Sequence, residues 1–266
     1  MLMAVKNQLK VTIKSIKYNI MRQMLNKVTF VSNIIFMMLN NACFLIQWII
    51  LFNLKETMGG YDLQDVFLLW ALAASTYGLA HITCHKAFRL PELIINGKLD
   101  QFLVQPKDVL ISAITSDTAV SAIGDLLYGI IVLLVCKPTI EVIALFIFFT
   151  ITGAIVVVSF AVIVGSLSFW FVKADNFSEN LNGAIINFAT YPDSIFKGSI
   201  KIILYTIIPV GIANYMPIHV MMKFDFFEFF IVILGTIFIS VLSYVIFNIG
   251  LKRYSSTNLM GSRDVN

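Results

Sequence analysis

The stretch at residues 29–53, TFVSNIIFMMLNNACFLIQWIILFN, decides the class of the molecule. It carries no charged residue from end to end. A helix needs about 20 mostly apolar residues to cross the hydrocarbon of a bilayer, and this run is long enough. Working outward, five further charge-poor runs follow, at 66–86, 109–136, 142–172, 178–194 and 228–251. The 266-residue chain is 59% hydrophobic and only 13% charged, with mean hydropathy +0.87. A soluble domain carries about 25% charged residues. The expectation is therefore an all-α, polytopic membrane protein, one transmembrane domain over 1–266 with six spanning helices. Nothing in this composition points to a nucleic-acid partner.

The stretch 195–222 is apolar but is interrupted by Pro209, Gly211, Asn214 and Pro217. Such residues break helices and free backbone groups that lipid cannot satisfy. These residues are expected to form short re-entrant helices before the last span. Counting it as a seventh crossing is disfavoured by the positive-inside rule. Six spans with both ends in the cytosol place fourteen basic residues inside, among them Lys86, Arg89, Lys98, Lys107, Lys173, Lys252, Arg253 and Arg263. They leave five outside: Lys55, Lys137, Lys197, Lys201 and Lys223.

Residues 1–27 read as an amphipathic helix. Leu2, Val5, Leu9, Ile13, Ile16, Ile20 and Met24 recur every three or four positions, beside a stripe of Lys6, Lys10, Lys14 and Lys17. A basic amphipathic helix suits an anionic membrane surface, which makes lipid an expected partner. The segment lacks a compact apolar core with a small-residue cleavage site, so it reads as mature chain. Cys43, Cys84 and Cys136 are odd in number and widely spaced, which gives no disulfide or zinc framework.

Between the second and third runs lies PELIINGKLDQFLVQPKDVL, residues 91–110. Its charges put it in water, yet it is rich in leucine, isoleucine and phenylalanine. Pro91 and Glu92 suit a helix start, Gly97 a helix stop, and Pro106 ends a second short turn. A wet apolar loop either docks on a partner or packs beneath its own bundle.

Polar groups also sit inside the runs. Asp117 and Asp125 lie eight residues apart, about 80° around a helix. Asn33 and Asn40, with Gln47, repeat every seven residues and share a face. Carboxylates within a span are costly and mark pathways by default. Two roles are open for these residues: lining a translocation path that favours cationic amphiphiles, or bonding helix to helix. His81, Cys84 and His85 form H-x-x-C-H without a fourth ligand, which reads as packing and not as a metal site.

An ordered series of short motifs resembles the ABC-2 type permeases, in the six-span branch whose permease is encoded apart from its ATPase. The series comprises Pro91-Glu92-Leu93-Ile94, Gly97-Lys98-Leu99-Asp100, Leu103 and Gln105-Pro106. It continues with Gly60-Tyr61, where the family more often has Gly-Trp, and Phe169-Trp170. Tyr191-Pro192 with Ile195-Phe196, Ile208-Pro209 with Asn214-Tyr215, and Gly250-Leu251-Lys252-Arg253-Tyr254 complete it. The resemblance implies that 89–108 is a coupling helix loop docking on an ABC ATP-binding subunit. Its contact residues would be Pro91, Glu92, Leu93, Ile94, Gly97, Leu99, Asp100, Phe102, Leu103 and Pro106. It further implies a second permease subunit, identical or related, and the plasma membrane of a bacterium. The task implied is export of an amphipathic drug, peptide or lipid-like compound. The chain has no G-x-x-x-x-G-K-[ST] phosphate loop. No cofactor is therefore expected in it, with ATP and magnesium belonging to the partner and no catalysis to the permease. The rival readings are an ion-driven secondary transporter, which often shows two related halves not visible in this sequence, and a non-transporting scaffold.

Overall fold

The computed structural model of the protein describes residues 2–136, 138–171 and 174–255. Lys137, Lys173, Arg263 and the end of the 142–172 run fall outside these residues, as do the side chains of Leu2 and Val5. Twelve α-helices follow one another, and no strand is present among the described residues. They are α1 (Leu2–Gln23), α2 (Lys27–Leu54), α3 (Leu63–Cys84), α4 (Leu90–Ile95), α5 (Asp100–Leu103) and α6 (Val109–Ile114). After these come α7 (Ser121–Val135), α8 (Ile140–Ser166), α9 (Ala174–Ala189), α10 (Ser199–Thr206), α11 (Met216–Met222) and α12 (Phe226–Leu251).

Four helical stretches are long and apolar enough to cross a membrane: Lys27–Leu54, Leu63–Ile95, Ile140–Phe169 and Phe226–Leu251. Two of the six expected runs take another form. Residues 109–136 are not one helix. Their polar stretch at 115–120 breaks the ladder between α6 and α7. The freed groups bond instead to the last turn of α3, Ala119 N to His81 O at 3.1 Å and Thr118 Oγ1 to Ile82 O at 2.9 Å. Irregular backbone at membrane depth persists only where protein satisfies it in this way. Residues 178–194 form no full-length span either. The helix begins earlier, at Ala174, stops at Ala189, and carries Asp175, Glu179 and Asn182. The segment 199–222 is a helix pair bent by 76°, with a π turn at Gly211–Tyr215 just before Pro217.

The bundle is built around α3. Asp62 and Asp65 close a reciprocal cap at its start, with Asp65 N to Asp62 Oδ1 at 2.8 Å and Asp62 N to Asp65 Oδ2 at 3.0 Å. From there α3 runs buried, and α7 and α8 pack along it. Between lipid-facing helices there is no hydrophobic drive to associate, so close contact depends on small residues. A Cβ on Gly78 would lie 2.7 Å from Leu126 N and 2.8 Å from Ala122 O of α7. On Gly129 of α7 it would meet Ala71 O of α3 at 2.5 Å. In contrast α2 buries only Asn41, Trp48 and Phe52, and α12 is also largely uncovered.

The face of α1 that meets the protein is polar. Ser15 Oγ and Asn19 Nδ2 both donate to Thr115 O, at 3.0 and 3.3 Å. Asp108 N donates to Gln8 Oε1 at 3.1 Å. Arg22 Nη2 pairs with Asp117 Oδ1 at 3.0 Å. Leu9, Ile13 and Met24 of the apolar stripe stay exposed, while Ile16 and Ile20 are half-buried. The helix therefore binds its own bundle through one stripe and offers another outward.

Replacing Gly78 by Leu drives a branched side chain into the backbone of α7. The expected loss is about 2 kcal/mol, read as a lower unfolding temperature of the detergent-solubilised protein. Gly183→Leu, where no atom lies within 4 Å of the added Cβ, is the matched control.

Candidate functional site

The expected coupling loop is built in two layers. α4 starts with Pro91 in its first turn and stops at Gly97, whose φ of 68° suits glycine. α5 supplies a further turn. Leu93, Ile94, Leu99 and Phe102 point inward and are buried in one cluster with Leu110, Ala113, Ala161, Val162 and Phe247. Pro91 is buried as well. These residues were expected as anchors on a partner, and the structure spends them on α6, α8 and α12 instead. Their amphipathic spacing serves the bundle because the turns at 85–89 and 96–99 fold the loop back beneath it. The outer layer is Glu92, Asp100, Leu103, Val104 and Pro106, with Val104 84% exposed. Lys98 Nζ lies 2.6 Å from Glu92 Oε1, and this bond holds the Glu92 carboxyl below its usual range. A groove of about 820 Å³ separates this layer from α1, lined by Gln8, Leu9, Thr12, Gln105, Pro106 and Lys107 among others.

The two carboxylates of the 109–136 run part company. Asp117 sits in the break before α7, is held by Arg22, and lines neither of the two cavities that Tyr77 borders. Asp125 lines a chamber of about 250 Å³ between α2, α3, α7 and α9. Asn41 Nδ2 donates to Asp125 Oδ1 at 2.6 Å, and both residues are buried. Asn40 and Gln47 reach the same chamber, while Asn33 is exposed on α2 and does not. Its other walls carry five aromatic rings, Phe44, Trp48, Trp70, Tyr77 and Tyr191, with Asn187 and Thr190 among the remaining lining. Phe44 stacks on Trp70 with centroids 5.2 Å apart. A second cavity of about 570 Å³ opens toward α4 between α3 and α9, and Tyr77 lines both.

The family model for an ABC-2 family transporter protein matches residues 36–258. The chain belongs to the ABC-2 transporter family. No curated protein and no solved structure gives a significant match. An ABC-2 family protein is a membrane transport component that normally works with an ATP-binding subunit. The chamber and the two-layered loop are thus features of a multi-pass transport protein.

Sequence reasoning missed two groups of residues. Gln8, Ser15, Asn19 and Arg22 recur at helical spacing among the lysines of α1, and that period was the available signal. The second group lies at the α10–α11 end and left no local signal. There Asp193 accepts from Tyr61 Oη at 3.0 Å, Lys201 Nζ at 2.8 Å and Tyr205 Oη at 3.1 Å. His219 Nε2 is 3.3 Å from the same carboxylate, and His219 Nδ1 is 3.4 Å from Glu228 Oε2. Burial would raise the Asp193 pKa, but the bonds from His219, Lys201 and Tyr61 outweigh it and hold the carboxyl well below the usual range. The hub ties the α2–α3 loop to α10, α11 and α12.

Asp193→Asn leaves this hub without its charge, at a cost of roughly 1 to 2 kcal/mol at neutral pH, since Lys201 and His219 remain partly open to water. Because the folded-state pKa is depressed, the stabilisation is complete above the unfolded carboxylate pKa. It is lost as pH falls below about 4. Thermal unfolding of both forms across pH is expected to show a full gap at pH 7 that narrows in acid.

Proposed function

We propose that the chain is the permease subunit of an ATP-driven exporter that moves an amphipathic drug, peptide or lipid-like compound. The observation that carries this reading is the two-layered loop. An exposed ridge at Leu103 and Val104 is backed by Leu93, Ile94, Leu99 and Phe102, which pack directly on α8 and α12. A push on the outer layer is passed to two long helices because packed cores shift as units and do not deform continuously. The groove beside α1 extends the same surface.

In this reading α2, α3, α8 and α12 cross a bacterial plasma membrane in full, and α7 and α9, each shorter than a full crossing, complete six passes together with the irregular turns that flank them. α1, α4 and α5 then lie in the cytosol with both chain ends, and α10 and α11 at the outer face. Lys86, Arg89, Lys98 and Lys107 then sit on the cytosolic side, as the charge rule asks. A second permease subunit, identical or related, covers the polar, exposed Asn33 face of α2. The ATP-binding subunit docks on 89–108 and supplies ATP hydrolysis with its magnesium.

The test is copurification in mild detergent. A soluble subunit carrying a phosphate loop is expected to accompany the wild type. It is expected to be lost from a Leu103→Asp, Val104→Asp double variant, whose changes lie on the exposed layer and spare the core. Recovery of no ATPase from wild type, with transport following a proton or sodium gradient instead, would overturn the reading in favour of an ion-driven carrier.

A further inference from the structure

The chamber and the cavity below it share two continuous helix faces. Trp70, Ala74, Tyr77, His81 and His85 follow one another along α3 and the turn after it at spacings of three and four. Asp175, Glu179, Asn182, Ile186 and Thr190 do the same along α9. The two faces oppose each other and line both cavities, a stretch of about 22 Å. Tyr77 stands where they meet.

The chemistry changes along this path in one sense. At the α4 end Asp175 and Glu179 are exposed, one turn apart, while Glu92 at that mouth is paired with Lys98 and has Lys86 and Arg89 beside it. His81 Nδ1 and His85 Nδ1 are 2.9 Å apart. One must donate and the other accept, so the pair carries at most one positive charge. Both side-chain atoms of Asn182 are buried without a partner, and the residue lines this cavity. Beyond Tyr77 come the aromatic walls, the unpartnered Trp70 Nε1, and Asp125. Asn41 occupies one oxygen of that carboxylate, and among the described residues the other has no donor. Aromatic faces attract cations, most strongly when desolvated. A carboxylate at membrane depth is costly without a countercharge.

We propose that the Asp125 chamber binds a monovalent organic cation with an apolar body, which enters past Asp175 and Glu179 and reaches the chamber beside Tyr77. This narrows the substrate class of the exporter read above and rests on that reading for the direction of travel only. Asp125 is the countercharge, and Trp48 and Trp70 form the walls on which the apolar part packs.

Two of the three tryptophans line the chamber, so intrinsic fluorescence of the purified protein reads occupancy. The probe is benzyltrimethylammonium, compared with its uncharged isostere neopentylbenzene. The cation is expected to bind at least about tenfold tighter. Asp125→Asn, which keeps the shape and the Asn41 contact, is expected to abolish that preference, and Asp125→Glu to restore part of it. Asp117→Asn, outside the chamber, is expected to leave it intact. Equal binding of the two probes by wild type overturns the proposal without recourse to any variant. Retention of the preference by a folded Asp125→Asn protein overturns it as well. The assay needs no ATPase, so its failure leaves the copurification result standing, and the converse also holds.

Discussion

The close approach of α3 and α7 is the constraint on which the rest of the molecule depends. Gly78 and Gly129 let the two backbones nearly touch. In lipid that intimacy replaces the hydrophobic drive available to soluble helices. It also fixes the chemistry. A Cβ on Gly78 would come within 3.1 Å of the Asp125 Cβ, so the glycine and the carboxylate are neighbours in one contact. The carboxylate is held on the rim of a cavity because α7 cannot rotate away from α3.

Polar groups in this bundle are divided by whether protein or a cavity meets them. The break at 115–120 survives because α3 and α1 answer its backbone, with Thr115 O accepting from two residues of α1. Asp117 is answered by Arg22. Among the described residues Asn182 and the second oxygen of Asp125 are answered by no side chain, and the two residues line the two cavities that meet at Tyr77. At the opposite end the Asp193 hub gathers groups from five segments and binds the bent helix pair to α12. The inner layer of the loop at 89–108 rests on α8 and α12.

Much of this was legible in the sequence. The apolar runs at 29–53 and 228–251 announce α2 and α12 nearly to the residue, because lipid demands uninterrupted hydrophobic length. Pro91 and Gly97 mark the limits of α4 for local reasons of backbone geometry. The bend at 199–222 follows from its prolines and glycine. The 109–136 run misled, because its polar residues at 115–118 looked like decoration on a helix. They break it, since α3 offers carbonyls the ladder cannot match. Leu93, Ile94, Leu99 and Phe102 misled for another reason. An apolar face on a short helix has the same pattern whether it meets a partner or its own bundle.

What the sequence determined by itself is the class and the family: an all-helical, multi-pass ABC-2 transport protein. Hydrophobic length, cap residues and ordered short motifs are local properties of the chain. What the tertiary structure alone decided is which polar residues act together. Asp117 went to an ion pair and Asp125 to a chamber, although composition treats them alike. Asp193 found His219 and Lys201 across the fold. Such pairings depend on which faces of helices distant in sequence come into register, and that is set by small-residue contacts such as Gly78 on α7.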